Sequence, residues 1–149
     1  MATILLVDDE KILRTLMSVA LRRGNHTVIE ARGGRRALAA ARKQAKRVDL
    51  LISELALPAM SALDLVRKLA EEHPGLPALF LSRSPHPAKL EERAHAEGYT
   101  VLREPFDMTT LLAETARLLD LPEGTRKPAA RSEAENEIRR SEANGHLGT

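Results

Sequence analysis

Short apolar runs alternate with longer segments of helical period along the first part of the chain. "TILLV" (3–7) is continuous in apolar residues and meets acid at Asp8, which reads as a strand. "EKILRTLMSVALRR" places Ile12, Leu16, Val19 and Ala20 on one face, with Leu13 and Met17 beside them, and Gly24 stops that helix. "HTVIEA" is a second strand and "GGRRALAAARKQAK" an alanine-rich, basic helix. "DLLIS" is apolar without alternation, as expected of a strand covered on both faces. "SALDLVRKLAEEH" is a helix with Ser61 as N-cap and Asp64 three residues on, ended by Pro74 and Gly75. "LPALFLS" is the fourth strand. "PAKLEERAHAEG" is the fourth helix, with Pro87 near its start and Gly98 past its end. "TVLRE" is a short fifth strand, and "MTTLLAETARLLD" a last helix with Leu111, Thr115 and Leu118 in one stripe. Five strands alternating with five helices predict an α/β fold, a parallel sheet with helices on both faces and right-handed crossovers.

The pattern stops after Leu121. Residues 122–149 hold five basic and five acidic residues and almost no large apolar side chains. Such a segment cannot bury enough surface to offset its ordering entropy, so a charged, disordered tail is expected. Ser132 to Asn144 has the marks of a marginal helix, with Ser132 as cap and Gly145 as stop, but Ile138 is its only large apolar residue. The expected organisation is one folded domain over 1–121 and a tail over 122–149.

Composition narrows the function. The 149 residues carry 43% hydrophobic and 2% aromatic side chains, and no cysteine. So few aromatics argue against a base-stacking nucleic-acid surface. Without cysteine there is no disulfide framework and no thiolate metal site. No apolar run approaches a membrane span, and "MATILLVDDE" lacks the basic start of a signal peptide, so a cytoplasmic protein is expected. Net charge is +2, but from Arg22 to Arg47 nine basic residues face one acid, Glu30. That stretch reads first as a solvated helix face and second as a docking face for an acidic partner or polyanion. The five histidines show no ligand spacing and read as ordinary.

In an open parallel sheet, the loops at the carboxyl ends of the strands form the functional crevice. Here those ends carry Asp8-Asp9-Glu10, Ser53-Glu54, Ser82-Arg83-Ser84 and Arg103-Glu104-Pro105. The acidic cluster Asp8, Asp9, Glu54 and Glu104 opposes its own ionisation. It is relieved by a retained proton, by a divalent cation on oxygen ligands, or by an arginine. Arg83 is the candidate arginine, paired with Glu54 or Glu104; the bland alternative extends it into solvent. Arg103 is expected on the opposite face of its strand from Glu104.

The pieces "ILLVDDE", "ARGGRRAL", "LPAM", "LFLS" and "REPFD", in this spacing, resemble the receiver domain of bacterial response regulators over residues 3 to about 120. The resemblance implies a flavodoxin-like (βα)5 fold and a role in two-component phosphorelay signalling rather than an enzyme. It also implies a phosphoacceptor aspartate ending strand three, two acids holding Mg²⁺, a hydroxyl after strand four, a lysine before the last proline, and a switch aromatic on strand five. Asp8 and Asp9 match the metal-holding acids and Ser82 the hydroxyl. Glu54 stands at the phosphoacceptor position, Glu104 at the lysine position, Ala62 in place of a usual glycine, and Val101 at the switch aromatic.

A glutamate moves the attacking oxygen by roughly 1 Å, and misplacement of that size costs about a hundredfold in rate. Glu104 reverses the positive charge that phosphoryl transfer relies on. Imitation of the phosphorylated state by Glu54 would need the missing cation and aromatic. The expectation is therefore a stand-alone, degenerate receiver: a protein-interaction module for a histidine kinase or other signalling protein, not phosphorylated at position 54. A homodimer is compatible with it; nucleic acid and membrane are not expected partners. The alternatives are phosphorylation at Asp8 or Asp9, and a switch that responds to a divalent cation.

Overall fold

The computed structural model describes residues 1–44 and 47–121. The expected tail and its marginal helix lie outside the described residues. Strands and helices alternate strictly: β1 Thr3–Val7, α1 Lys11–Arg23, β2 Thr27–Ala31, α2 Gly34–Lys43, β3 Leu50–Glu54, α3 Ala62–Glu72, β4 Ala78–Ser82, α4 Ala88–Ala96, β5 Thr100–Arg103 and α5 Met108–Leu119. The five strands form one parallel sheet in the order β2-β1-β3-β4-β5. The chain reverses direction across the sheet after β2, which opens a crevice above β1 and β3.

The strand patterns follow from this order. β1, β3 and β4 lie inside the sheet and are buried along their whole length, whereas β2 and β5 are the edges and are only partly covered. Successive side chains go to opposite faces. Leu51, Phe80 and Val101 join a core under α2, α3 and α4; Leu50, Ile52, Leu79 and Leu81 join a second core under α1 and α5.

The local signals for helix ends work as chemistry predicts. Ser61 caps α3 by accepting from the Asp64 N–H at 3.2 Å. Asp107 caps α5 through the Thr110 N–H at 2.7 Å and the Thr110 hydroxyl at 2.8 Å. Leu111, Thr115 and Leu118 are the buried residues of α5.

α1 departs from expectation. Ile12, Leu16 and Val19 face solvent, at 74%, 55% and 45% exposure, while Met17, Ser18 and Leu21 are buried. Two adjacent helical stripes are both apolar in this sequence, and the sheet takes the one centred on Met17. Arg14 explains part of the choice: it lies beside that stripe, donates to the Asp8 carbonyl at 2.7 Å and pairs with Glu30 at 3.3 Å.

Ala59, between β3 and α3, sits at φ 64. A left-handed backbone costs an L-residue about 1–2 kcal/mol, part of which glycine would recover after its larger unfolded-state entropy. Ala59→Gly is expected to raise stability by about 0.5–1 kcal/mol, read as a higher urea midpoint; a lower midpoint would show that the loop does not strain this residue.

Candidate functional site

Three strand ends deliver acids to one rim. β1 runs into Asp8, which is fully buried; β3 ends in Glu54, 3% exposed; β5 is followed by Glu104. Across them reaches Arg83, the residue after β4, with its side chain about one-third exposed. Its Nη2 donates to Asp8 Oδ1 at 2.9 Å and lies 3.3 Å from Glu10 Oε2 and 3.4 Å from Glu54 Oε2. Its Nη1 is 3.5 Å from Asp9 Oδ1, and its Nε is 3.4 Å from Glu104 Oε2. One guanidinium thus stands within ion-pair reach of five carboxylates. Glu54 and Glu104 were the expected partners; the shortest contact is with Asp8.

The electrostatics follow from burial. Asp8 Oδ1 also accepts from the Glu10 N–H at 2.8 Å, but its Oδ2 is buried with no hydrogen-bond partner, as are Oε2 of Glu54 and of Glu104. Desolvation pushes the Glu54 carboxyl up to about 8, against the lowering effect of Arg83. Burial raises Asp8 and Glu104 as well. The same acids hold the Arg83 guanidinium well above its already high value, despite its desolvation.

A Mg²⁺ ion on Asp8 and Asp9 would have to share this volume with the guanidinium. Among the described residues, no group of three or more histidine, aspartate or glutamate side chains is disposed to hold a metal ion. The residues present do not fit the metal that the sequence suggested for Asp8 and Asp9: the cation among these oxygens is covalently part of the chain.

Ser82 turns the other way. It follows Leu81 on β4, so it projects to the α4 face, opposite the acids, and is fully buried. Its hydroxyl lies 3.1 Å from His86 Nδ1. Close by, Glu91 of α4 accepts two hydrogen bonds from Arg103 of β5, at 2.9 and 2.8 Å. Arg103 thus lies on the opposite face from Glu104. The bonds from Arg103 and from the Ser82 hydroxyl, with His86 nearby, hold the buried Glu91 carboxyl at about 2, below the ordinary range, despite its desolvation.

Because that value is depressed, the Glu91 contribution to stability is present above its unfolded range, near pH 4.5, and is lost as pH falls toward 2. Glu91→Gln is expected to lower stability at neutral pH and to flatten the acid limb of a stability–pH profile. An unchanged acid limb would mean that this carboxylate is not engaged.

Two features escaped sequence reasoning. His86 has a specific partner, in Ser82, and no spacing signalled it. Val101 is only half-buried against the core, and the aromatic of that face is Tyr99, two residues earlier. Its ring packs edge-on against Phe80 at 5.2 Å and 61°. Its hydroxyl is buried without a hydrogen-bond partner, and burial raises the phenol. The pairing period of two places residues 99 and 101 on one face, which was the available signal.

Comparison with known proteins settles the lineage. A family model described as the response regulator receiver domain matches residues 4–116. The chain belongs to that family. Over 117 residues this receiver is 36% identical to the probable transcriptional regulatory protein TcrX of Mycobacterium tuberculosis, covering 78% of the chain and 49% of TcrX. It is 29% identical to the sensor kinase CckA of Brucella abortus over 80% of the chain but only 13% of that kinase. The chain therefore spans about half or less of these curated relatives. Among solved structures, the chemotaxis protein CheY4 of Vibrio cholerae superposes with a TM-score of 0.67 at 33% identity, covering 78% of this chain and 98% of that one. The receiver's five parallel strands and five helices are those of the CheY-like, flavodoxin-like fold. Receivers are modules of two-component signalling that interact with kinases or other signalling proteins. No described helix of this one is long and apolar enough to cross a membrane.

Proposed function

We propose that this receiver works as a protein-interaction module of a two-component pathway, with no phosphoryl transfer to the acid that ends β3. The observation that supports this most is Arg83, whose guanidinium lies 3.4 Å from Glu54 and 2.9 Å from Asp8. It fills the space in which a phosphoryl group would have to arrive. Glu54 is the phosphoacceptor equivalent, one methylene longer than aspartate, and burial pushes its carboxyl up to about 8, so at neutral pH it lacks the anionic charge that makes a carboxylate a nucleophile. Glu104 stands where a lysine would stabilise the transferring group, so the rim lacks that cation on β5. The hydroxyl equivalent, Ser82, is turned toward His86 instead of the rim.

The partner surface in this reading is the α4–β5–α5 face, which resemblance to the family suggests, with the basic second helix as the alternative. Glu91 and Arg103 join α4 to β5 there through an ion pair at 2.8 Å. A histidine kinase or another signalling protein is the class of partner, and the module itself is no enzyme.

The test is incubation with acetyl phosphate and Mg²⁺ followed by intact mass. The expected result is the unmodified mass. A stoichiometric phosphate adduct overturns the reading, and its location separates Glu54 from Asp8 or Asp9 as acceptor.

A further inference from the structure

The five carboxylates of the rim come from three strand ends, and on their own they would offer a hard cation a set of oxygen donors. They converge instead on one side chain. Asp8, Asp9, Glu10, Glu54 and Glu104 each place an oxygen 2.9 to 3.5 Å from a nitrogen of Arg83. Two further facts go beyond neutralisation. Arg83 keeps its charge at every pH at which the protein folds, so the cation cannot be lost by titration. And Asp8 Oδ2, on a fully buried residue, has no hydrogen-bond partner, while Glu54 Oε2 faces Arg83 at 3.4 Å without a hydrogen bond. Arg83 Nε is likewise buried without a hydrogen bond, so the guanidinium sits among these acids as a charge more than as a set of filled hydrogen bonds, and it leaves Asp8 Oδ2 unfilled.

We infer that Arg83 is a resident cation in place of a divalent metal, which closes this receiver's rim to Mg²⁺ until the side chain is removed. A dication set among these oxygens would face the fixed positive charge of the guanidinium at contact range. Mg²⁺ also requires near-octahedral oxygens at about 2.0–2.1 Å, whereas these oxygens are spread around a planar guanidinium at 2.9 to 3.5 Å from its nitrogens. Swinging Arg83 into solvent to admit the ion would break all of its contacts at once. Without Arg83, the same carboxylates, including the unpartnered Asp8 Oδ2, become free to turn onto a metal.

The experiment is a titration of the full chain with Mn²⁺ as the probe, followed by paramagnetic broadening of the backbone amides at Asp8, Asp9 and Glu54. No phosphodonor is present, so the outcome is separate from the adduct test. The wild-type protein is expected to show no saturable site at the rim. Arg83→Gln is expected to bind Mn²⁺ at least tenfold more tightly there, with Mg²⁺ competing. Should Arg83→Gln fail to fold, the double variant with Glu54→Gln relieves one buried acid, retains Asp8 and Asp9, and is read in the same way. Saturable broadening centred on Asp8 in the wild type overturns the inference, as does a variant that folds and gains no affinity.

Discussion

Arg83→Met loses about 2–3 kcal/mol of stability at pH 8, and less at pH 5. The argument starts from the acids. Removing one partner of a buried ion pair typically costs about 3–5 kcal/mol, because a charge is left without compensation. The guanidinium is about one-third exposed, so solvent screening reduces that figure. The pH dependence follows from linkage. Glu54 has a folded value of about 8, above its unfolded value of 4.5. Its favourable contribution is complete below pH 4.5 and is lost as pH rises through 8. Asp8 and Glu104 are shifted in the same direction. At pH 5 Glu54 is protonated with or without Arg83, so its share of the cost is gone and the hydrogen bond to Asp8 is what remains. At pH 8 the wild-type rim ionises against a cation, whereas the variant must either keep Glu54 protonated or bury its charge uncompensated, because Arg83 is what lowers that carboxyl. Urea unfolding at the two pH values measures the difference. An equal loss at both would mean that packing of the arginine stem, rather than its charge, sets the cost.

Phe80→Ala costs about 3–5 kcal/mol, a large part of the 5–15 kcal/mol that a domain usually has. Phe80 is fully buried in β4, paired with Ser53 on one side and Val101 on the other, and it supports the Tyr99 ring edge-on. Its removal leaves a cavity in the core under α3 and α4, where neighbouring strands are hydrogen-bonded on both sides and cannot close in. Phe80→Leu, which fills most of that volume, is expected to cost only about 1–2 kcal/mol. Chemical denaturation of the two variants checks the order. A Phe80→Ala loss below that of Phe80→Leu would contradict the packing described.

The two predictions meet at the end of β4. Phe80 packs below, Ser82 turns to α4, and Arg83 turns to the acids. A single strand end therefore ties the rim to the face proposed for partner binding. In this receiver both ties are side-chain contacts, formed by Arg83 on one side and by the Ser82, His86, Glu91 and Arg103 group on the other.

Sequence alone determined the alternation of strands and helices, the parallel sheet, and which strand ends supply charge, because each rests on local information. A short continuous apolar run such as Leu50–Ile52, bounded by polar residues, reads as an inner strand, and period two sends Arg103 and Glu104 to opposite faces. Tertiary structure decided the rest. α1 offers two neighbouring apolar stripes, and only docking against the sheet selected Met17 and Leu21 over Ile12, Leu16 and Val19. The reach of Arg83 to five acids depends on strand order and on the rotamers of a long side chain, neither of which periodicity encodes. The same holds for His86: its partner is fixed by where the loop folds back over β4, a non-local event that leaves no spacing in the chain.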